Sequence, residues 1–249
     1  MLTGIRAICC FALAVWMPAL VAADFTILPL RVELDRANRA TEVVVRNDET
    51  TPLRMQLEAM SWHQDADGKE HYEPSEGLTY FPRVLEIPPG ESRIVRLGVR
   101  AAPVTREETY RLFFEQLPPP TEDPAPAGAR LRILLRVGVP VFVAPVQPER
   151  KAEITRLEMQ GGRVRWTVAN AGNVHFVADR VELVALARDG TRLYVQQFTE
   201  RYFLAGVLKS LQADIPREVC AQVAALEASV AGANVDLRRR VDVEPGACY

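Results

Sequence analysis

One stretch near the middle of the chain limits the fold more than any other. Between 130 and 143, Leu131, Ile133, Leu135, Val137, Val139, Val141 and Val143 share one parity, while Arg130, Arg132 and Arg136 lie on the other. A period of two over that length predicts a long strand, Arg130–Val143, with one thoroughly apolar face. Such a strand needs a sheet around it, and the preceding sequence supplies the pieces. Short segments rich in Val, Leu, Ile and aromatics, parted by turn residues, predict strands over Thr26–Leu34, Thr41–Arg46, Leu53–Trp62, Val84–Ile87, Ser92–Val99 and Tyr110–Leu117. Asp65-Ala66-Asp67-Gly68 and Pro88-Pro89-Gly90 read as turns between them. Seven strands in about 120 residues suit an immunoglobulin-like sandwich. Pro118–Gly128, with no apolar periodicity, reads as a loop.

Pro145 and Pro148 punctuate a linker, after which strand signals resume. Val164, Trp166 and Val168 alternate with Arg163, Arg165 and Thr167; Asn170-Ala171-Gly172-Asn173 turns the chain; Val181–Leu186 and Leu193–Phe198 give further strands. Pro216–Val230 differs: Val219, Val223, Leu226 and Val230 recur at helical spacing behind Asp214 and a proline suited to a first helical turn, which predicts a short helix. The fold class is therefore all-β, with two sandwich domains at 24–146 and 147–249.

The residues before the first strand read as an export address. Arg6, an apolar run from Ala7 to Val21, and the small residues ending at Ala23 have the order of a cleavable secretory signal over 1–23, too short and poorly flanked for a membrane span. The mature chain would begin at Asp24 and carry no integral membrane segment. Export places Cys220 and Cys248, the two cysteines outside that signal, in an oxidising compartment, which predicts one disulfide between them. Thirty Lys plus Arg against 32 Asp plus Glu give no overall basic surplus to attract nucleic acid.

Residues for catalysis are sparse. His63 and His71 flank the hairpin turn and read as a surface pair, and His175 has no candidate partner near it in sequence. There is no GxSxG elbow, phosphate-cradling glycine loop or HExxH. Asp65, Asp67 and Gly68 have the opening of a calcium loop without its closing glutamate, and read as a solvated turn. No cofactor is implied. A hydrolase on a β-sandwich is the weakest of three classes; a secreted adhesin or structural surface protein is the stronger alternative to a binding chaperone, because a half-buried core strand gives the same period as the 130–143 segment.

Several segments carry a resemblance in order and spacing: Leu28-Pro29-Leu30-Arg31-Val32, Ser61-Trp62-His63-Gln64, Pro89-Gly90 leading to Val95-Arg96-Leu97, Tyr110-Arg111-Leu112 through Gln116-Leu117-Pro118, and Val139-Pro140-Val141-Phe142-Val143-Ala144-Pro145. In the second domain Asn170 to His175 and Tyr202-Phe203-Leu204 add to it. Together they resemble the PapD-like periplasmic pilus chaperones, in particular their archaic branch. The resemblance implies two immunoglobulin-like domains set in an L around a basic cleft, and a protein of the periplasm that is not an enzyme. It would lend a strand to pilus subunits lacking their last one and deliver them to an outer-membrane usher. The donor would be Arg130–Val137, with Leu131, Ile133, Leu135 and Val137 entering the subunit groove. In the better-known branch a lysine of this strand helps bind the subunit's terminal carboxylate, and Pro140 stands in its place here. An arginine of the family's interdomain salt bridge corresponds to Ala144. The resemblance carries Arg31 to the carboxylate anchor, and the loss of the lysine moves Arg111 ahead of it; the competing reading pairs Arg111 with Glu107 or Glu115. Arg96 and Glu107 fall at members of the family's internal ion-pair network.

Overall fold

The computed structural model describes residues 25–100, 105–118, 133–244 and 246–248. The signal segment 1–23, the start at Asp24, most of the predicted loop and the first part of the predicted donor segment, including Leu131, lie outside the described residues.

In the first half, β1 (Phe25–Leu28), β2 (Val32–Leu34), β3 (Ala40–Asn47), β4 (Leu53–Gln64) and β5 (Glu70–Pro74) are followed by β6 (Leu78–Phe81), β7 (Val84–Ile87), β8 (Ser92–Val99), β9 (Glu108–Gln116) and β10 (Arg136–Val143). One sheet has the order β1-β3-β8-β6; the other runs β2-β10-β9-β4-β5, with β7 on β4. Pro29 interrupts the first predicted strand, so the chain crosses from one sheet to the other and both Ile27 and Val32 reach the same core. Alternation does the rest: Val43, Val45, Val95 and Leu97 of one sheet meet Met55, Leu57, Leu112, Phe114, Val139 and Val141 of the other. Two short strands, β5 and β6, escaped the sequence reading. β5 buries no side chain fully, and an edge strand needs no apolar period.

The second half holds β11 (Ala152–Gln160), β12 (Arg163–Asn170), β13 (Phe176–Val177), β14 (Arg180–Leu186), β15 (Arg192–Phe198), β16 (Tyr202–Phe203), β17 (Leu208–Asp214), α1 (Arg217–Cys220), β18 (Ala225–Gly232) and β19 (Val235–Asp242). Sheets β11-β12-β17 and β15-β14-β18-β19 enclose a second core around Trp166, Leu183, Phe203 and Leu226. The molecule is thus all-β with two sandwich cores, as the sequence predicts. The helix is one turn only, which corrects the reading of Pro216–Val230. From Ala225 the chain lies between β14 and β19 and both of its edges are hydrogen-bonded, so sheet pairing overrides the helical spacing of Leu226 and Val230. Cys220 and Cys248 form a disulfide, with Cα atoms 5.9 Å apart, that ties α1 to the C-terminal segment.

Candidate functional site

The site begins with an unfinished sheet edge. β9 covers one side of β10 along its whole length, from Arg136 opposite Glu115 to Val143 opposite Glu108. β2 covers the other side only from Val141 onward. The groups facing that open side follow from the register. Gln116 N–H donates to Leu135 O and Ala144 N–H donates to Leu34 O, so odd-numbered residues bond to β9 and even-numbered ones face β2 or, before Val141, solvent. Among the described residues no strand pairs with the open edge between 134 and 140.

Apart from Arg136, the side chains there are apolar. Ile133 is 70% exposed and Leu134 45%, while Leu135 and Val137 are half-buried and Val137 packs on the first core. Among the described residues the strand starts at Arg136, and Ile133, Leu134 and Leu135, which the sequence places in it, lie outside it. Past Gln116 the neighbouring strand has ended, and, among the described residues, 133–135 keep a single backbone bond, from Gln116 N–H to Leu135 O. The parity is as the sequence predicts, but it serves two purposes: Val139, Val141 and Val143 fill the protein's own core, and Ile133 and Leu135 continue the same face beyond it.

On the outer face of this sheet, Arg31 and Arg111 stand on either side of Pro140. Arg111 is directly opposite Pro140 on β9, and Arg31 immediately precedes Val32, the partner of Val141. Arg111 is nearly buried, its side chain 14% exposed. Its guanidinium lies 4.0 Å over the Trp62 ring and 5.6 Å from that of Tyr202, donates through Nη1 to Gly138 O at 3.1 Å, and is 3.5 Å from Glu70 Oε1. Neither predicted carboxylate partner meets it: Glu115 pairs with Arg136 and Glu107 with His175. Arg111 Nε and Trp62 Nε1 are buried donors without a partner among the described residues. Arg31 is half-exposed and pairs with Glu33 at 3.0 Å. Next to Arg111, Tyr72 packs edge-on against Phe113 and donates to Glu70. Burial, then that bond to Glu70, pushes the Tyr72 phenol up to about 12.

Contacts between the two halves close the far end of this face. Glu107, just before β9, accepts from His175 Nδ1 at 2.9 Å and from His175 N–H at 2.8 Å, both side chains nearly buried. The His175 ring stacks on Phe142 of β10, centroids 3.6 Å apart, and Trp62, Phe142 and Leu204 form a small shared core. Gln64 donates to Tyr202 O and accepts from Leu204 N–H. The β4–β5 turn also reaches across: Ala66 O accepts from Ser210 N–H, and Gly68, at φ 78°, lies on the Lys209 stem, where a Cβ would come within 2.9 Å of Cε. A cleft lined by Arg31, Glu107, Phe142, Arg150, His175 and Asn234 opens beside this contact.

Arg96 and Glu107 are not brought together. Arg96 lies on the exposed face of the other sheet and pairs with Glu42 at 3.0 Å, its side chain 78% exposed, because its neighbours Val95 and Leu97 take the core-facing positions. His63 and His71 face each other across the β4–β5 hairpin with stacked rings. No group of three or more metal-ligating side chains is gathered among the described residues. The sequence reading missed His175, Tyr202 and Gln64 as members of the site. Their segments carry the resemblance, but their partners lie 68 to 140 residues away.

Two immunoglobulin-like sandwiches with a half-open last strand in the first define the class, and known structures share it. The chain is similar to the chaperone–tip subunit pre-assembly complex of archaic Csu pili from Acinetobacter baumannii at 18% identity and TM-score 0.58, over 89% of this chain and 98% of that one. It is similar to the Pseudomonas aeruginosa CupB2 chaperone at 18% and 0.51, over 87% and 98%. The Salmonella enterica SafB chaperone complex with SafA pilin matches at 14% and 0.56, over 90% and 99%. No curated protein sequence matches. The family model of the pili and flagellar-assembly chaperone, PapD N-terminal domain, matches residues 24–149. The chain belongs to that family.

Proposed function

We propose that the protein is a periplasmic chaperone of archaic-type pili that holds each subunit by adding its own β10 edge to the subunit's incomplete sheet, then yields it to an outer-membrane usher. The observation that carries this is the open edge from 134 to 140, continuous with exposed Ile133 and Leu134. An edge of this kind is a hazard unless it has a partner, and β-augmentation supplies one through main-chain bonds, with alternate side chains filling pockets. Ile133 and Leu135 are the main groove-filling residues, with Leu131 ahead of them, each worth about 1.5 to 3 kcal/mol on full burial. Val137 contributes less, because it is already half-buried.

The subunit's terminal carboxylate is held over Pro140, with Arg111 as the principal cation and Arg31 as the second. Arginine's planar fork suits a carboxylate, and Arg111 Nε still lacks an acceptor. Glu107 and His175 fix the angle between the two domains, whose boundary lies in the Pro145–Pro148 stretch. Pilus-assembly chaperones work by binding, and their tip-subunit and pilin complexes favour this reading over an adhesin. Co-expression with a pilus subunit in a bacterial periplasm tests it: the two should purify as a stoichiometric complex that protects the subunit from proteolysis, and a chaperone recovered alone with the subunit degraded would refute it.

A further inference from the structure

An open strand edge invites unwanted pairing with other chains, and native proteins blunt such edges by local devices. Here the even-numbered residues of β10 present their backbone groups to the open side, yet Gly138 O is already engaged. Arg111 crosses the outer face of β10 from β9, and its Nη1 donates to that oxygen at 3.1 Å. Residue 138 is a glycine packed under the Phe113 ring, and the Arg111 stem passes it at ordinary contact distance. A Cβ there would lie 2.9 Å from Phe113 Cε1 and 3.6 Å from Arg111 Cδ. Two residues further on, Pro140 has no N–H to offer an added strand. One capped acceptor and one missing donor therefore close the last part of the open edge in the empty protein.

We infer that Arg111 is the guard of its own docking edge, displaced only by a strand that brings a carboxylate with it. An incoming strand takes Gly138 O with a backbone N–H, and the freed guanidinium turns to the strand's terminal carboxylate beside Pro140, where the ladder cannot continue. A strand without a terminus at that point replaces the charge-assisted bond on Gly138 O with an ordinary one and leaves the guanidinium without a new acceptor. The favoured partner is thus an extended polypeptide that ends over Pro140, and internal strands, including those of a second copy of this chain, are disfavoured. The release step rests on the anchor role of Arg111 proposed above; the cap on Gly138 O does not.

Sedimentation velocity of the subunit-free chaperone separates these claims. Arg111→Ala and Arg111→Met should each self-associate at a concentration roughly tenfold or more below wild type, the effect of losing one hydrogen bond to a charged group. Arg111→Met keeps an unbranched apolar stem over Trp62 while removing the donors, and so covers the case in which Arg111→Ala disturbs packing. Adding Arg136→Pro, which removes an N–H from the open side and none from the β9 ladder, should return Arg111→Ala to wild-type behaviour. Identical curves for wild type and Arg111→Ala, or association that persists with Arg136→Pro, overturn the guard. Greater self-association of Arg111→Ala with undiminished subunit capture would end the anchor reading and leave the cap standing, whereas lost capture without self-association would do the reverse.

Discussion

Arg111 concentrates more of the site's physics than any other side chain: a nearly buried charge, two aromatic faces, a backbone oxygen and one unused donor. Removing one partner of a buried charged pair costs about 2 to 5 kcal/mol. Arg111→Ala should therefore lower subunit recovery from periplasm by a factor of roughly thirty or more, while the free chaperone's melting temperature moves far less; pull-down yield beside a thermal melt checks both. Arg31→Ala, half-exposed and paired with Glu33, should weaken capture less. Tyr72 gives a pH signature. Its pKa is raised in the folded state to about 12 from an ordinary 10, so between those values the unfolded chain has lost a proton that the native protein keeps. Stability then falls as pH rises from about 10 to 12. Tyr72→Phe should reduce that fall, and ultraviolet titration of the phenols should lose one of its late-titrating components, the other being Tyr110, which burial and its bond to Glu108 raise as well.

At the scale of elements, β10 divides its labour along its length. Val139 and Val141 are core residues of their own domain, whereas Ile133 carries no comparable burial. An aspartate at 133 stays in water in the free protein but enters an apolar groove in the complex. Ile133→Asp should leave the unfolding free energy within about 0.5 kcal/mol of wild type, the usual range for surface changes, and abolish protection of the subunit from protease. Leu135→Asp should act in the same way with a somewhat larger stability cost, since Leu135 is half-buried. Unfolding of Ile133→Asp would show that this stretch belongs to the chaperone's own core. The same scale shows where period counting fails. Leu226 and Val230 have helical spacing from Val219, yet Ala225–Gly232 is hydrogen-bonded as a strand on both sides.

For the whole molecule, two cores are joined by contacts that each side contributes in part, and the second is closed by a covalent tie. Cys220 and Cys248 are 28 residues apart. Closing a loop of that size restricts the unfolded chain by roughly 3 kcal/mol on chain-entropy grounds. Cys220→Ala with Cys248→Ala, or reduction, should lower the stability of the second domain by about that much and leave the first transition in place. Calorimetry with and without reductant resolves the two. Glu107→Gln should loosen the joint instead, because His175 keeps a hydrogen-bond acceptor but loses the charged one; a broader small-angle scattering profile at unchanged secondary structure is the expected outcome.

What the sequence determined alone is local or periodic. Alternation placed most strands of the first sandwich, Val84–Ile87 and Ser92–Val99 to the residue, since a one-residue slip would turn an apolar face to water; in the second it placed chiefly β12, β14 and β15. It marked the apolar face of the donor segment, and cysteine usage marked the disulfide. Only the tertiary structure decided which part of that face is core and which is free, because the answer lies in where β2 begins and β9 ends. It also decided partners: Glu107 with His175, Arg96 with Glu42, and Arg111 with Gly138 O. Pairing is a property of space, and residues 27 to 68 positions apart leave no period in a sequence by which to find each other.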